Sequence, residues 1–61
     1  MSQVTKVNVY CDGENNWYFA IWCGEEYDTN GQIDDVESAD EAIAWAESQW
    51  PNATVKEVEP V

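Results

Sequence analysis

The chain has 61 residues, with thirteen Asp and Glu against two Lys and no His, for a formal net charge of −11. So small a domain folds against its own repulsion when it carries that much of one sign, so a use for the negative surface is expected, and a basic partner is the natural one. Without a basic patch for phosphate or anionic lipid, and without an apolar run near the roughly 18 residues of a membrane span, the chain is not expected to bind DNA, RNA or a membrane directly.

A chain of this length buries only about 60% of the surface that it exposes when unfolded, which leaves room for a single domain over 1–61 with one small core. Four Trp, three Tyr and one Phe supply the apolar area that ordering so short a chain requires. Val7, Val9 and Cys11 alternate with Asn8 and Tyr10, and after Asp12-Gly13-Glu14-Asn15-Asn16 the alternation resumes at Trp17, Phe19 and Ile21. This predicts a β-hairpin centred on Glu14, with Val7, Val9 and Cys11 facing Ile21, Phe19 and Trp17 on one side. Lys6, Asn8, Tyr10, Tyr18, Ala20 and Trp22 then form the other side, an aromatic face that is adhesive if left uncovered.

Asp28-Thr29-Asn30-Gly31 reads as a second turn, since Asn-Gly suits the positive φ angles of a tight hairpin, and Gln32 to Val36 is then the third strand. The same region, Glu26 to Glu37, also matches a calcium-binding EF-hand loop at several positions, although no entering helix precedes it. Ser38-Ala39-Asp40-Glu41 is a capping box and predicts a helix over Ala39 to Gln49, with Ala39, Ala42, Ile43, Ala46 and Trp50 on its buried stripe. Pro51 ends the helix, and Thr54 to Glu59 is a closing strand. The expected fold is α+β: a small antiparallel sheet of three to four strands with one α-helix packed on one face, in the order β-β-β-α-β.

Catalysis is not expected. There is no His to act as a base, Cys11 and Cys23 sit in an acidic field that opposes thiolate formation, and the fold has little room for a substrate cleft. The two cysteines are expected to be small buried hydrophobes in a reduced, cytoplasmic chain, and no cofactor or metal is implied. Asp34, Asp35, Glu37, Asp40 and Glu41 gather at the predicted helix entrance, where the helix dipole favours negative charge. Five carboxylates exceed what one helix end uses, so Asp34, Asp35 and Glu37 are candidates for a recognition surface.

From Val36 onward the chain combines the capped Asp-Glu-Ala helix start, a Trp-bearing helix that ends in Gln-Trp-Pro, and a closing strand that finishes Val58-Glu59-Pro60. In these features, and more loosely at Trp17 to Ile21 and Gly31 to Val36, it resembles the gene-two inhibitors of T-seven-type bacteriophages, small proteins that act on host RNA polymerase. The resemblance implies strands flanking one helix and docking on the jaw of the largest polymerase subunit at the mouth of the downstream DNA channel, and the chain is expected to be a monomer in the cytoplasm of the infected host. It also implies blocked open-complex formation through misplacement of the acidic first region of the primary sigma factor. Two arginines on that family's closing strand carry its binding, and the matching positions here are Glu57 and Glu59. Charge reversal at the contact strand requires a basic partner surface. A further departure is the strand around Val4 to Cys11, which that family pattern lacks and which is expected to cover a sheet edge.

The leading expectation is therefore a phage-encoded transcription inhibitor that meets host RNA polymerase through Glu57 and Glu59, seconded by Glu25, Glu26 and Asp28 and by Asp34, Asp35 and Glu37. The alternatives are an acidic DNA mimic that blocks a host DNA-binding enzyme, an antitoxin-like module, and a salt-adapted housekeeping protein.

Overall fold

The computed structural model describes residues 3–59. Strands β1 (Lys6–Cys11), β2 (Trp17–Cys23) and β3 (Glu26–Ile33) are followed by helix α1 (Ala39–Gln49) and strand β4 (Thr54–Glu57). The class is α+β and the order is β-β-β-α-β, as expected.

The first hairpin has the expected register: Val7 pairs with Ile21, Val9 with Phe19 and Cys11 with Trp17. Period-two alternation is what fixes it, because a slip of one residue would turn every apolar side chain of the strand out of the core. The Asp12 carboxylate holds the turn. Its Oδ1 accepts from the Glu14 N–H at 2.8 Å and the Asn16 N–H at 3.3 Å, and its Oδ2 accepts from Asn16 Nδ2 and the Tyr18 hydroxyl, each at 3.2 Å. Gly13 and Asn15 carry the positive φ angles, +90° and +64°, that close the loop.

The third strand differs from expectation. The turn falls at Gly24-Glu25, where Gly24 has φ +68°, and β3 begins at Glu26, so Asn30-Gly31 lies inside a strand. Gly31 serves packing rather than turning. It pairs with Phe19, and a Cβ at this position would sit 2.8 Å from that ring's Cζ. The ring fills the space that the glycine leaves, and Trp45 and Trp50 hold it from the helix side with centroids 5.3 and 5.4 Å away. The β2–β3 ladder carries one irregularity: the register shifts between Ile21 and Trp22, which pair with Thr29 and Tyr27, so Asp28 is the extra residue. With Glu26 to Ile33 extended, the first two thirds of the segment that matched a calcium loop, Glu26 to Glu37, is a strand whose side chains alternate between faces.

The helix spans the expected residues. Ser38 is its N-cap, with Oγ accepting from the Glu41 N–H at 3.3 Å, and the Glu41 carboxylate accepts from the Glu37 N–H at 3.0 Å, one residue earlier than in the standard capping box. Ala42 and Ala46 are fully buried and let the helix approach the sheet closely, while Ile43, Trp45 and Trp50 pack around them.

The sheet order is β3-β2-β1-β4. Strand β4 pairs in parallel with β1, Val7 beside Val55 and Val9 beside Glu57, so the sheet is mixed rather than wholly antiparallel. Chain direction is the reason. Two hairpins leave β3 pointing the same way as β1, the helix returns across the sheet, and β4 must then run as β1 and β3 do. β1 is thus interior, between β2 and β4, and not the edge cover that the sequence led us to expect. One face of the sheet carries the core of Val7, Val9, Trp17, Ile21 and Ile33 beneath the helix.

Candidate functional site

The same topology distributes the charge. The ends of β1, β3 and β4, the start of β2 and the N-terminus of α1 all lie at one end of the sheet. That end collects Asp12 and Glu14 from the first turn, Asp34, Asp35 and Glu37 from the β3–α1 connection, Asp40 and Glu41 from the first helical turn, and Glu57 and Glu59 from the end of β4. Glu25, Glu26 and Asp28 stand at the opposite end, and Glu47 lies toward the C-terminus of the helix. Both lysines, Lys6 and Lys56, point to the face of the sheet away from the helix, Lys6 at the start of β1 and Lys56 one residue before Glu57 in β4.

Of the carboxylates at that end, Asp12 and Glu41 are committed to internal hydrogen bonds. The hydrogen bond from the Glu14 N–H is the chief cause of a pKa lowered below 3.8 at Asp12. Asp35 adopts φ +65°, a conformation that Asp tolerates better than most residues, so it also turns the chain from strand to helix. Asp34, Glu37, Glu57 and Glu59 are exposed and carry no comparable structural task. An open depression lined by Asn15, Asp35, Val36, Glu37 and Glu41 joins the hairpin tip to the helix entrance.

The sequence-level candidates thus divide. Glu57, Glu59, Asp34, Asp35 and Glu37 converge at one end, with Glu57 paired beside Val9 on the helix side of the sheet yet exposed at its edge. Glu25, Glu26 and Asp28 are separated from them by the length of β3. Asp40 and Glu41 were expected beside Asp34, Asp35 and Glu37 at the helix entrance, whereas the contributions of Asp12 and Glu14 were not foreseen, and it is the parallel return of β4 beside β1 that brings Glu57 to the same end. Among the described residues no group of His, Cys, Asp or Glu is arranged to hold a metal ion, and no helix is long and apolar enough to cross a membrane.

The face away from the helix has the composition expected of it. Tyr10 and Tyr18 stack with centroids 5.6 Å apart, Trp22 meets Tyr27 edge-on at 5.5 Å, and the Lys6 ammonium lies 4.3 Å from the Trp22 ring centroid. Tyr18 has its pKa raised above 10.0, first by desolvation and then by its hydrogen bond to Asp12. Cys11 packs against the core and the Cys23 thiol lies 3.6 Å from the Asp28 carboxylate.

Comparison of the chain with protein-family models, curated proteins and solved structures returns no match.

Proposed function

We propose that this chain is a phage-encoded inhibitor of host bacterial RNA polymerase, which acts without catalysis by seating its acidic end on a basic polymerase surface near the DNA channel. The observation that carries this reading is the convergence of Glu57 and Glu59 with Asp34, Asp35 and Glu37 at one end of the sheet, with both lysines on the face away from the helix. Such a field steers a basic partner to one orientation, speeds encounter and makes it salt-sensitive. The resemblance of the helix and closing strand to the gene-two inhibitors supports polymerase as the target, and the glutamates at the two arginine positions direct the docking to a basic patch rather than an acidic one. Cytoplasmic action in the infected host follows from that target.

The test is retention of purified host polymerase on the immobilised protein at low and high salt, together with promoter-dependent transcription in its presence. Salt-sensitive retention with loss of open complexes is expected. Failure to retain polymerase at either salt would overturn the reading, and retention of a nuclease or glycosylase from lysate, reversed by duplex DNA, would assign the same surface to DNA mimicry.

A further inference from the structure

Strand β3 forms one edge of the sheet, is eight residues long, and is exposed along most of its length. Its unpaired backbone groups can be assigned. The Asp12 N–H donates to the Asn16 carbonyl and the Val58 N–H donates to the Val9 carbonyl, so the even-numbered residues of β1 turn their polar groups to β2 and the odd-numbered ones to β4. Antiparallel alternation then directs Trp17, Phe19 and Ile21 of β2 toward Ile33, Gly31 and Thr29 of β3, and leaves the N–H and C=O groups of Asn30 and Gln32 pointing away from the sheet, where the Asn30 carbonyl accepts only a long hydrogen bond from the Thr29 hydroxyl at 3.4 Å.

Natural edges are blunted with charge and bulges, and the lower half of β3 has both, in Glu26, Asp28 and the irregularity beside Asp28. The stretch Thr29-Asn30-Gly31-Gln32 has neither. It is uncharged and in regular register, it has Tyr27, 52% exposed, beside it, and carboxylates bound it at both ends: Glu25, Glu26 and Asp28 below, Asp34 and Asp35 above.

We propose that this edge accepts an extended, basic segment of the partner protein as an added β-strand, with main-chain hydrogen bonds to Asn30 and Gln32 and basic side chains meeting the acids at either end. Charge selects the occupant. A second copy pairing antiparallel through β3 would set the acids at the lower end of each strand against Asp34 and Asp35 of the other, so the edge repels itself and favours a cationic strand. Strand addition of this kind takes affinity from the backbone and specificity from the flanking side chains. The inference rests on the proposed function for the partner's basic character, and it gives the two separated groups of acids a common use.

The test uses the isotope-labelled protein with a short synthetic peptide that alternates Lys with Val. Amide exchange at Asn30 and Gln32 should slow by about tenfold or more on saturation, consistent with the gain of one backbone hydrogen bond each, while Thr29 and Gly31, already bonded to β2, change little. Perturbation confined to the Tyr10 and Trp22 face or to Glu57, or no binding at all, would overturn the proposal. Asn30→Pro removes an outward N–H without touching the β2–β3 ladder and should weaken peptide and polymerase binding about tenfold, whereas Asn30→Ala should leave both unchanged. Polymerase that binds Asn30→Pro as tightly as the parent refutes the edge and leaves the proposed function standing. Polymerase that fails to bind the parent, with Asn30 and Gln32 still protected by the peptide, refutes the function and leaves the edge.

Discussion

Replacing Gly31 with Ala tests the packing that distinguishes this sheet from the one expected on sequence grounds. The new Cβ would lie 2.8 and 2.9 Å from Cζ and Cε1 of Phe19, about 0.6 Å inside the 3.4 Å at which ordinary contact begins. The ring has little freedom to retreat, because Trp45 and Trp50 flank it. Overpacking of this kind costs about 1–3 kcal/mol, and loss of the glycine's unfolded-state freedom returns about 0.4–1 kcal/mol. A net destabilisation of about 1–2 kcal/mol is expected, each 1 kcal/mol lowering Tm by roughly 4–8 °C in a domain of this size. Urea denaturation followed by Trp fluorescence would measure it for Gly31→Ala, Phe19→Leu and the double variant. In the Phe19→Leu background the alanine should be neutral or stabilising, which gives a coupling of at least about 1 kcal/mol. Gly24→Ala supplies the contrast: its φ of +68° makes it costly in open space, independently of Phe19. Equal effects of Gly31→Ala in both backgrounds would refute the reasoning.

Ser38→Ala should cost about 0.5–2 kcal/mol in denaturant unfolding, because the Glu41 N–H loses its acceptor, and Ser38→Asp should recover most of it. The lowered pKa of Asp12 stabilises the hairpin above 3.8, and that contribution should disappear as pH falls through the depressed folded-state value. Asp12→Ala should abolish this acid limb in a pH series of Tm. The raised pKa of Tyr18 works in the other direction: its contribution is intact below pH 10.0 and is lost as pH rises through the folded-state value, so Tyr18→Phe should flatten the alkaline limb.

Local patterns were legible and long-range ones were not. The pairing of Val7, Val9 and Cys11 with Ile21, Phe19 and Trp17 follows from alternation about a single turn, and the helix bounds follow from Ser38 and Pro51. Asn30-Gly31 misled because glycine beside asparagine usually marks positive φ, whereas here a cross-strand Phe19 demands the missing Cβ. Nothing local to Thr54-Val55-Lys56-Glu57 states which strand it joins; the parity of two hairpins and one helix decides its direction. That direction also brings Glu57 and Glu59 to the end already occupied by Asp34, Asp35 and Glu37. The acids could be counted in the sequence, but their division between one crowded end and the far turn at Glu25 could be seen only once the strands were ordered.

The role of the acidic end is tested most directly by titrating purified host polymerase with the parent protein and with the Glu57→Lys, Glu59→Lys double variant over a series of salt concentrations. Both positions are exposed, so the variant should fold within about 0.5 kcal/mol of the parent. The parent is expected to bind tightly at low salt and progressively less as salt rises, and the variant to lose binding even at the lowest salt. Equal binding by the two proteins, or parent affinity that does not change with salt, would contradict the account.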